Sequence, residues 1–243
     1  MKIKILKETP DYLVISKPDG ISVHEGAGEA QYTLVDWLKE KYPGIEKLSW
    51  HSETRLGIVH RLDKDTTGVL IVAKNPEALE YYQDQFKIRN VEKYYRTLVA
   101  GKPPFQSGRI DALIRRDPKD RERQRVDLLD FGLDEMERKT SATEYNVLKT
   151  LNYKGHIVSY LDIKLLTGRK HQIRVHMKYE NCPVIGDMKY FNKESKRISR
   201  ALGATRQFLH AYKIKFLEYK TGKYVEIEDE LPHELGDILD KVK

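Results

Sequence analysis

The feature that most narrows what this chain can fold into is a recurring two-residue period. Across 156–166, Leu161, Ile163 and Leu165 alternate with Asp162 and Lys164, which in an extended chain sends one set to a buried face and the other to solvent. Residues 94–100, 141–149, 208–217 and 223–228 also read as strands, and 11–17 and 69–73 read as buried ones. Helical signals are few. Asn75-Pro76 supplies an N-cap and a proline at the first helical position, and Ala78, Leu79, Tyr82 and Phe86 follow at helical spacing, which predicts a helix over 76–87. Leu231-Pro232 starts a last short helix carrying Leu235, Ile238 and Leu239, expected to pack on the sheet. With 243 residues, 40% of them hydrophobic, there is material for a sizeable core. No repeat, low-complexity tract or Gly/Ser linker divides the chain. The expectation is one domain over 1–243, α+β in class, with a central mixed, largely antiparallel β-sheet flanked by helices and loops.

Several classes lose weight at once. No stretch approaches the ~20 apolar residues of a membrane span, and the opening MKIKILKETPDYLVISKP alternates charged and apolar residues, unlike a signal peptide; a cytoplasmic, membrane-free protein is expected. Cys182 is the single cysteine, which builds neither an intramolecular disulfide nor a thiolate zinc site and agrees with a reducing compartment. The balance of 44 Lys and Arg against 37 Asp and Glu is +7, which suits a polyanionic partner where the charge clusters. Two segments look like excursions from the sheet. Residues 115–127 carry six basic and four acidic side chains without an apolar period, and 186–206 carry six basic against two acidic. Each reads either as a solvated face or as a rim facing RNA or DNA.

The usual cofactor motifs are absent: there is no GxxxxGK[ST] loop, Gly26-Ala27-Gly28 lacks the third glycine and preceding strand of a dinucleotide site, and no serine sits in a GxSxG elbow. His171 and His176, five apart, fall on different faces of a helix and do not share a metal. What remains is a set of polar constellations at strand ends. Gly57 to Gly68 places Arg61, Asp63, Asp65, Thr66 and Thr67 in a loop entering a core strand, where reactive carboxylates are found and where an Asx-type turn is the plain alternative. Leu166 to His176 places Arg169, His171, Gln172 and Arg174 on the first turns of an expected helix; cations there oppose the macrodipole and call for a carboxylate or phosphate partner. Lys93-Tyr94-Tyr95-Arg96 sends one ring to each face of a strand, and Arg206 to Ala211 is a polar entry into another.

Together these elements resemble the ordered motifs of the RluA-type pseudouridine synthases. The resemblance rests on His60-Arg61-Leu62-Asp63 with Thr66-Thr67-Gly68, on Lys93 and Tyr95, on Thr167-Gly168-Arg169 with His171-Gln172-Ile173-Arg174, and on Arg206 with Leu209-His210-Ala211. Asp11 to Val14, Lys17-Pro18, Gly20 and Gly186-Asp187 fit the same pattern, so it runs from about residue 5 to 235. The resemblance implies isomerisation of uridine to pseudouridine in ribosomal or transfer RNA, in a cleft between two halves of the domain. It implies Asp63 as the nucleophile, ionised beside a cation, with Arg174 the first candidate and Arg169 the second. Tyr95 would stack on the target ring and assist proton removal from carbon 5; a slip of one residue would exchange it with Tyr94. Arg61 would fill the gap left by the flipped uridine, unless it is tied to Asp65. His60, Thr67, Arg169 and His171 are further substrate-binding candidates, and Arg121, Arg123 and Arg125 are candidate backbone contacts in a loop that closes on RNA. No cofactor and no metal are expected, the chain is expected to be a monomer, and no separate N-terminal RNA-binding domain is expected. A hydrolase using Asp63 and Asp65 as an acid–base pair, and an RNA-binding module without activity, are the rival readings.

Overall fold

The computed structural model describes residues 3–25, 31–50, 52–127 and 140–242; Gly26-Ala27-Gly28 lies outside them. In chain order the described residues form β1 (Lys4–Glu8), β2 (Tyr12–Lys17), α1 (Leu34–Lys41), β3 (Thr67–Ala73), α2 (Pro76–Lys87), β4 (Glu92–Ala100), β5 (Ser107–Arg116), β6 (Gln124–Asp127), β7 (Thr140–Tyr153), β8 (His156–Leu165), α3 (Gln172–Tyr179), α4 (Lys193–Leu202), β9 (Leu209–Leu217), β10 (Tyr224–Glu228) and α5 (His233–Val242). They divide into two compact units, Met1–Glu92 with Ala211–Glu230, and Lys93–His210 with Leu231–Lys243. Among the described residues no helix is long and apolar enough to cross a membrane.

In the first unit β2 pairs antiparallel with β3, Leu13 opposite Val72 and Ile15 opposite Leu70, and β1 pairs with β2. All seven residues of β3 are buried, which is why VLIVA is continuous rather than alternating. Neighbouring β9 is paired in turn by antiparallel β10. Helix α2 spans the residues expected of it: the Asn75 side chain accepts from the Ala78 N–H (2.9 Å), and Tyr82 meets Tyr12 and Phe216 edge-on. Two elements here were not anticipated. Strand β1 lies in the opening alternation, weighed above only against a signal peptide, and α1 carries a legible capping box in which Thr33 and Asp36 bind each other's backbone N–H.

The second unit is an antiparallel array in the order β4-β8-β7-β5-β6. Leu235, Ile238 and Val242 of α5 pack into one cluster with Leu98, Val158, Ile198, Leu202 and Phe208, so the C-terminal helix covers this sheet as expected. Segment 115–127 departs from the expected excursion: β5 and β6 form a hairpin with Ile114 opposite Val126 and Arg115 opposite Arg125. The apolar pair is held by Val175 and Tyr190, which lie outside the span that the local period of 115–127 can report on. Segment 186–206 contains α4, whose Ser195, Ile198 and Leu202 are buried while Lys193, Lys196, Arg197 and Arg200 remain on its solvent side.

Candidate active site

The loop before β3 is pinned to the first unit from three sides. His60 Nε2 accepts the Ile71 N–H at 3.0 Å, and its ring stacks on Phe86 with centroids 4.4 Å apart, so those two sides of the imidazole hold the loop against β3 and α2. The Thr66 N–H donates to the Asp63 carbonyl (3.0 Å), closing a turn around the half-buried Asp63. Lys17, 0% exposed, donates from Nζ to the carbonyls of Pro18 (2.7 Å) and Lys64 (2.9 Å). A buried ammonium is tolerated only when so coordinated, and this one grips the residue next to Asp63. Gly68, at φ 122°, follows; a Cβ there would overlap the Ala211 carbonyl of neighbouring β9, which makes glycine obligatory. Thr67 is buried at the start of β3, while Arg61 is exposed with Nη1 3.4 Å from His24 Nε2.

In the second unit Tyr95 lies on β4 opposite Ile163 and is buried, while Tyr94 lies opposite Lys164, whose ammonium stands 5.4 Å from the Tyr94 ring centre. The segment after Gly168 corrects the expected helix start. Helix α3 begins at Gln172, His171 is its cap in the left-handed region at φ 58°, and Arg169 precedes it as an exposed residue. The cause is the buried Gln172 side chain: Oε1 accepts from the Arg169 N–H (2.9 Å) and the Thr167 hydroxyl (2.8 Å), and Nε2 donates to the Ala142 carbonyl and to Thr143 Oγ1, both at 3.0 Å. That capture fixes the Thr167-Gly168-Arg169 turn to β7.

Arg174 is buried and bidentate on Asp187, Nε to Oδ2 at 2.6 Å and Nη2 to Oδ1 at 2.9 Å. Burial alone would raise the Asp187 carboxyl, but the Arg174 hydrogen bonds and charge, with the N–H groups of Tyr190 and Lys189, hold it below the ordinary carboxylate range. Tyr190 places its hydroxyl 2.8 Å from His171 Nδ1 and accepts the Gln124 N–H at 2.6 Å. His176, on the same helix, is fully buried between Ser141 Oγ (2.9 Å) and Thr143 Oγ1 (3.0 Å), and burial pushes its pKa down to about 4. On the hairpin Arg121 and Arg125 are exposed, and Arg123 pairs with Asp120 at 3.2 Å. Lys17, Gln172, Asp187 and Tyr190 thus hold the candidate residues in place. Lys17 and Asp187 stood inside motifs that carried the resemblance, and Tyr190 had no signal of its own beyond lying three residues after Asp187.

Residues 11–179 match the sequence model of a family described as RNA pseudouridylate synthase, and that span contains Asp63, Tyr95 and Arg174. The chain belongs to the RNA pseudouridylate synthase family. It is 38% identical over 224 residues to an uncharacterized RNA pseudouridine synthase of Chloroflexus aurantiacus, covering 92% of this chain and 64% of that protein. It is 36% identical over 245 residues to a ribosomal large subunit pseudouridine synthase D of Neisseria meningitidis, covering 98% of this chain and 61% of the relative. The chain therefore spans a little over three fifths of the length of these two relatives. Among solved structures, human RNA pseudouridylate synthase domain containing 1 superposes with a TM-score of 0.73 at 28% identity, over 94% of this chain and 83% of the other. The α+β class read from the sequence is that of these pseudouridylate synthase domains.

Proposed function

We propose that this chain isomerises uridine in RNA to pseudouridine, with Asp63 as nucleophile. The observation that carries the reading is the family match over residues 11–179, inside which Asp63 sits on a turn held by His60, by Gly68 and by the buried Lys17. The reaction breaks the bond between ring nitrogen 1 and the sugar and rejoins the sugar to carbon 5, which releases its proton, while nitrogen 1 takes one up. The product has the composition of the substrate and nothing is oxidised, so the chemistry asks for a nucleophile, a proton acceptor and no cofactor. Asp63 must be ionised to attack, at the sugar or at the ring, and Arg174 supplies the cation in this reading, with Arg169 the alternative. Tyr95 stacks on the uracil, and Arg61 takes its place in the RNA stack.

The exposed cations Arg121 and Arg125 on the hairpin, with Lys193, Lys196, Arg197 and Arg200 on α4, would meet the RNA backbone without reading sequence. One relative is named for the large ribosomal subunit, and large-subunit ribosomal RNA is the substrate we assign first. The same reading takes the whole chain as one catalytic domain, working as a cytoplasmic monomer. The test is Asp63→Asn, nearly isosteric, on a large-subunit ribosomal RNA transcript carrying tritium at uridine carbon 5. Tritium release is expected to fall to background while RNA binding persists. Comparable release by the variant would end the covalent reading, and equal loss from Asp65→Asn alone would move the nucleophile to Asp65.

A further inference from the structure

Tyr190 ties together four residues that belong to different parts of the second unit. Its hydroxyl accepts the Gln124 N–H at the start of β6 and is hydrogen bonded to His171 Nδ1, the cap of α3. A phenol has one proton and two lone pairs, so it serves both partners at once. Its ring lies beneath Arg174, guanidinium carbon 5.2 Å from the ring centre, and meets the His171 ring edge-on at 5.5 Å. Its backbone N–H donates at 2.9 Å to Asp187 Oδ1, the atom that also takes Arg174 Nη2. Around it pack Ile114 and Val126 from the two strands of the hairpin and Val175 from α3. On one side the residue is fastened to the β5–β6 hairpin, which carries Arg121, Arg123 and Arg125; on the other it is fastened to His171 and Arg174. A close-packed junction of this kind transmits a displacement of the hairpin rather than absorbing it.

We propose that Tyr190 is a positioning residue for the isomerisation, coupling the seating of the β5–β6 hairpin on RNA to the placement of His171 and Arg174. This rests on the hairpin's assignment to RNA binding made above. When phosphates engage Arg121 and Arg125, the hairpin backbone at Gln124 settles, the phenol follows it, and the ring and the Asp187 carboxylate fix the guanidinium. Loosening the link leaves RNA bound while Arg174 and His171 are less well placed for the chemical step, so its signature is a loss in the rate of the bound complex rather than in affinity.

The experiment is a double-mutant cycle on the full chain, with Tyr190→Phe in the wild-type background and in Arg121→Gln/Arg125→Gln, using the tritium-labelled large-subunit ribosomal RNA transcript. Removing the hydroxyl keeps the ring and its packing. The expected result is a fall of about tenfold in the single-turnover rate at saturating RNA, the equivalent of one hydrogen bond, with the RNA dissociation constant changed less than about threefold. In the arginine-depleted background the same substitution is expected to cost less than about threefold, because the hairpin no longer seats on RNA. Equal fold losses in both backgrounds would overturn the proposal, since a residue that merely packs acts independently of the hairpin's charge. So would a loss confined to affinity, or no loss in rate. Arg121→Gln/Arg125→Gln without effect on RNA affinity would instead overturn the hairpin's role in RNA binding, and a wild-type chain that releases no tritium would overturn the activity itself; the coupling falls with either. Tyr190→Leu is the control for the ring, expected to lose more than Tyr190→Phe in the wild-type background, and a rate equal to that of Tyr190→Phe would overturn the ring's part in holding Arg174.

Discussion

Asp187 accepts both Arg174 nitrogens and two backbone N–H groups with its side chain wholly buried, so neither member of the pair can be changed without leaving the other uncompensated. Asp187→Asn and Arg174→Met are each expected to cost about 3–5 kcal/mol in urea unfolding, and the double variant clearly less than the sum, by about 1 kcal/mol or more. Strict additivity would mean that the pair contributes no more than two separate residues. The Asp187 carboxyl is held low in the folded chain, so its contribution is present above its unfolded pKa and is lost as pH falls through the folded value. Arg61 is the opposite kind of residue, exposed and in reach of His24 only at 3.4 Å. Extruding a stacked base costs a few kcal/mol, so Arg61→Ala is expected to slow single turnover most on a paired uridine and less on one in an unstructured loop. Equal fold losses on the two RNAs would take the flipping role away from Arg61.

At the scale of elements, the β5–β6 hairpin and α4 carry exposed positive charge of the second unit on scaffolds that are themselves well packed. Arg123 is engaged with Asp120, whereas Arg121 and Arg125 are exposed, so the three arginines are not equivalent. Every phosphate that a side chain no longer neutralises lowers the slope of log affinity against log salt by about 0.7–0.9. Changing Arg121, Arg123 and Arg125 to glutamine is therefore expected to weaken RNA binding and flatten the slope by about 1.4–1.8, the share of Arg121 and Arg125. The maximum single-turnover rate is expected to fall as well, because the hairpin also steadies Tyr190. An unchanged salt slope would return this hairpin to the status of an ordinary solvated turn.

For the whole molecule, the pH dependence of stability has one clear source in His176. Burial holds its pKa at about 4 against an ordinary 6.5, so the unfolded chain takes up a proton below pH 6.5 that the folded chain refuses. Its contribution is complete above pH 6.5 and declines as pH falls toward 4, by up to roughly 3 kcal/mol. Urea midpoints between about pH 4.5 and 7.5 are expected to show that decline in the wild type and a shallower one in His176→Asn; parallel curves would remove His176 as the cause. The elements built from neighbouring residues were legible in advance. Asn75-Pro76 placed α2 to the residue, the alternation around Leu161 placed β8, and the polar run from His60 to Gly68 marked the Asp63 loop, because capping, period and turn chemistry act within a few residues. Pairings beyond such reach did not show. Arg174 finds Asp187 thirteen positions on, His176 of α3 finds Ser141 of β7 35 positions back, and Gln172 holds Arg169 outside the helix expected to begin after Gly168. In the hairpin over residues 107–127, Val175 and Tyr190 cover Ile114 and Val126, and β7 pairs along β5. Local chemistry along the chain set where it runs straight, where it turns and where the polar motifs gather. Which cation meets which carboxylate, and which loop leans on which ring, came from the closing of distant strands, because the attraction in an ion pair and the hydrogen bonds of a buried phenol gain their strength only once those strands exclude water around them.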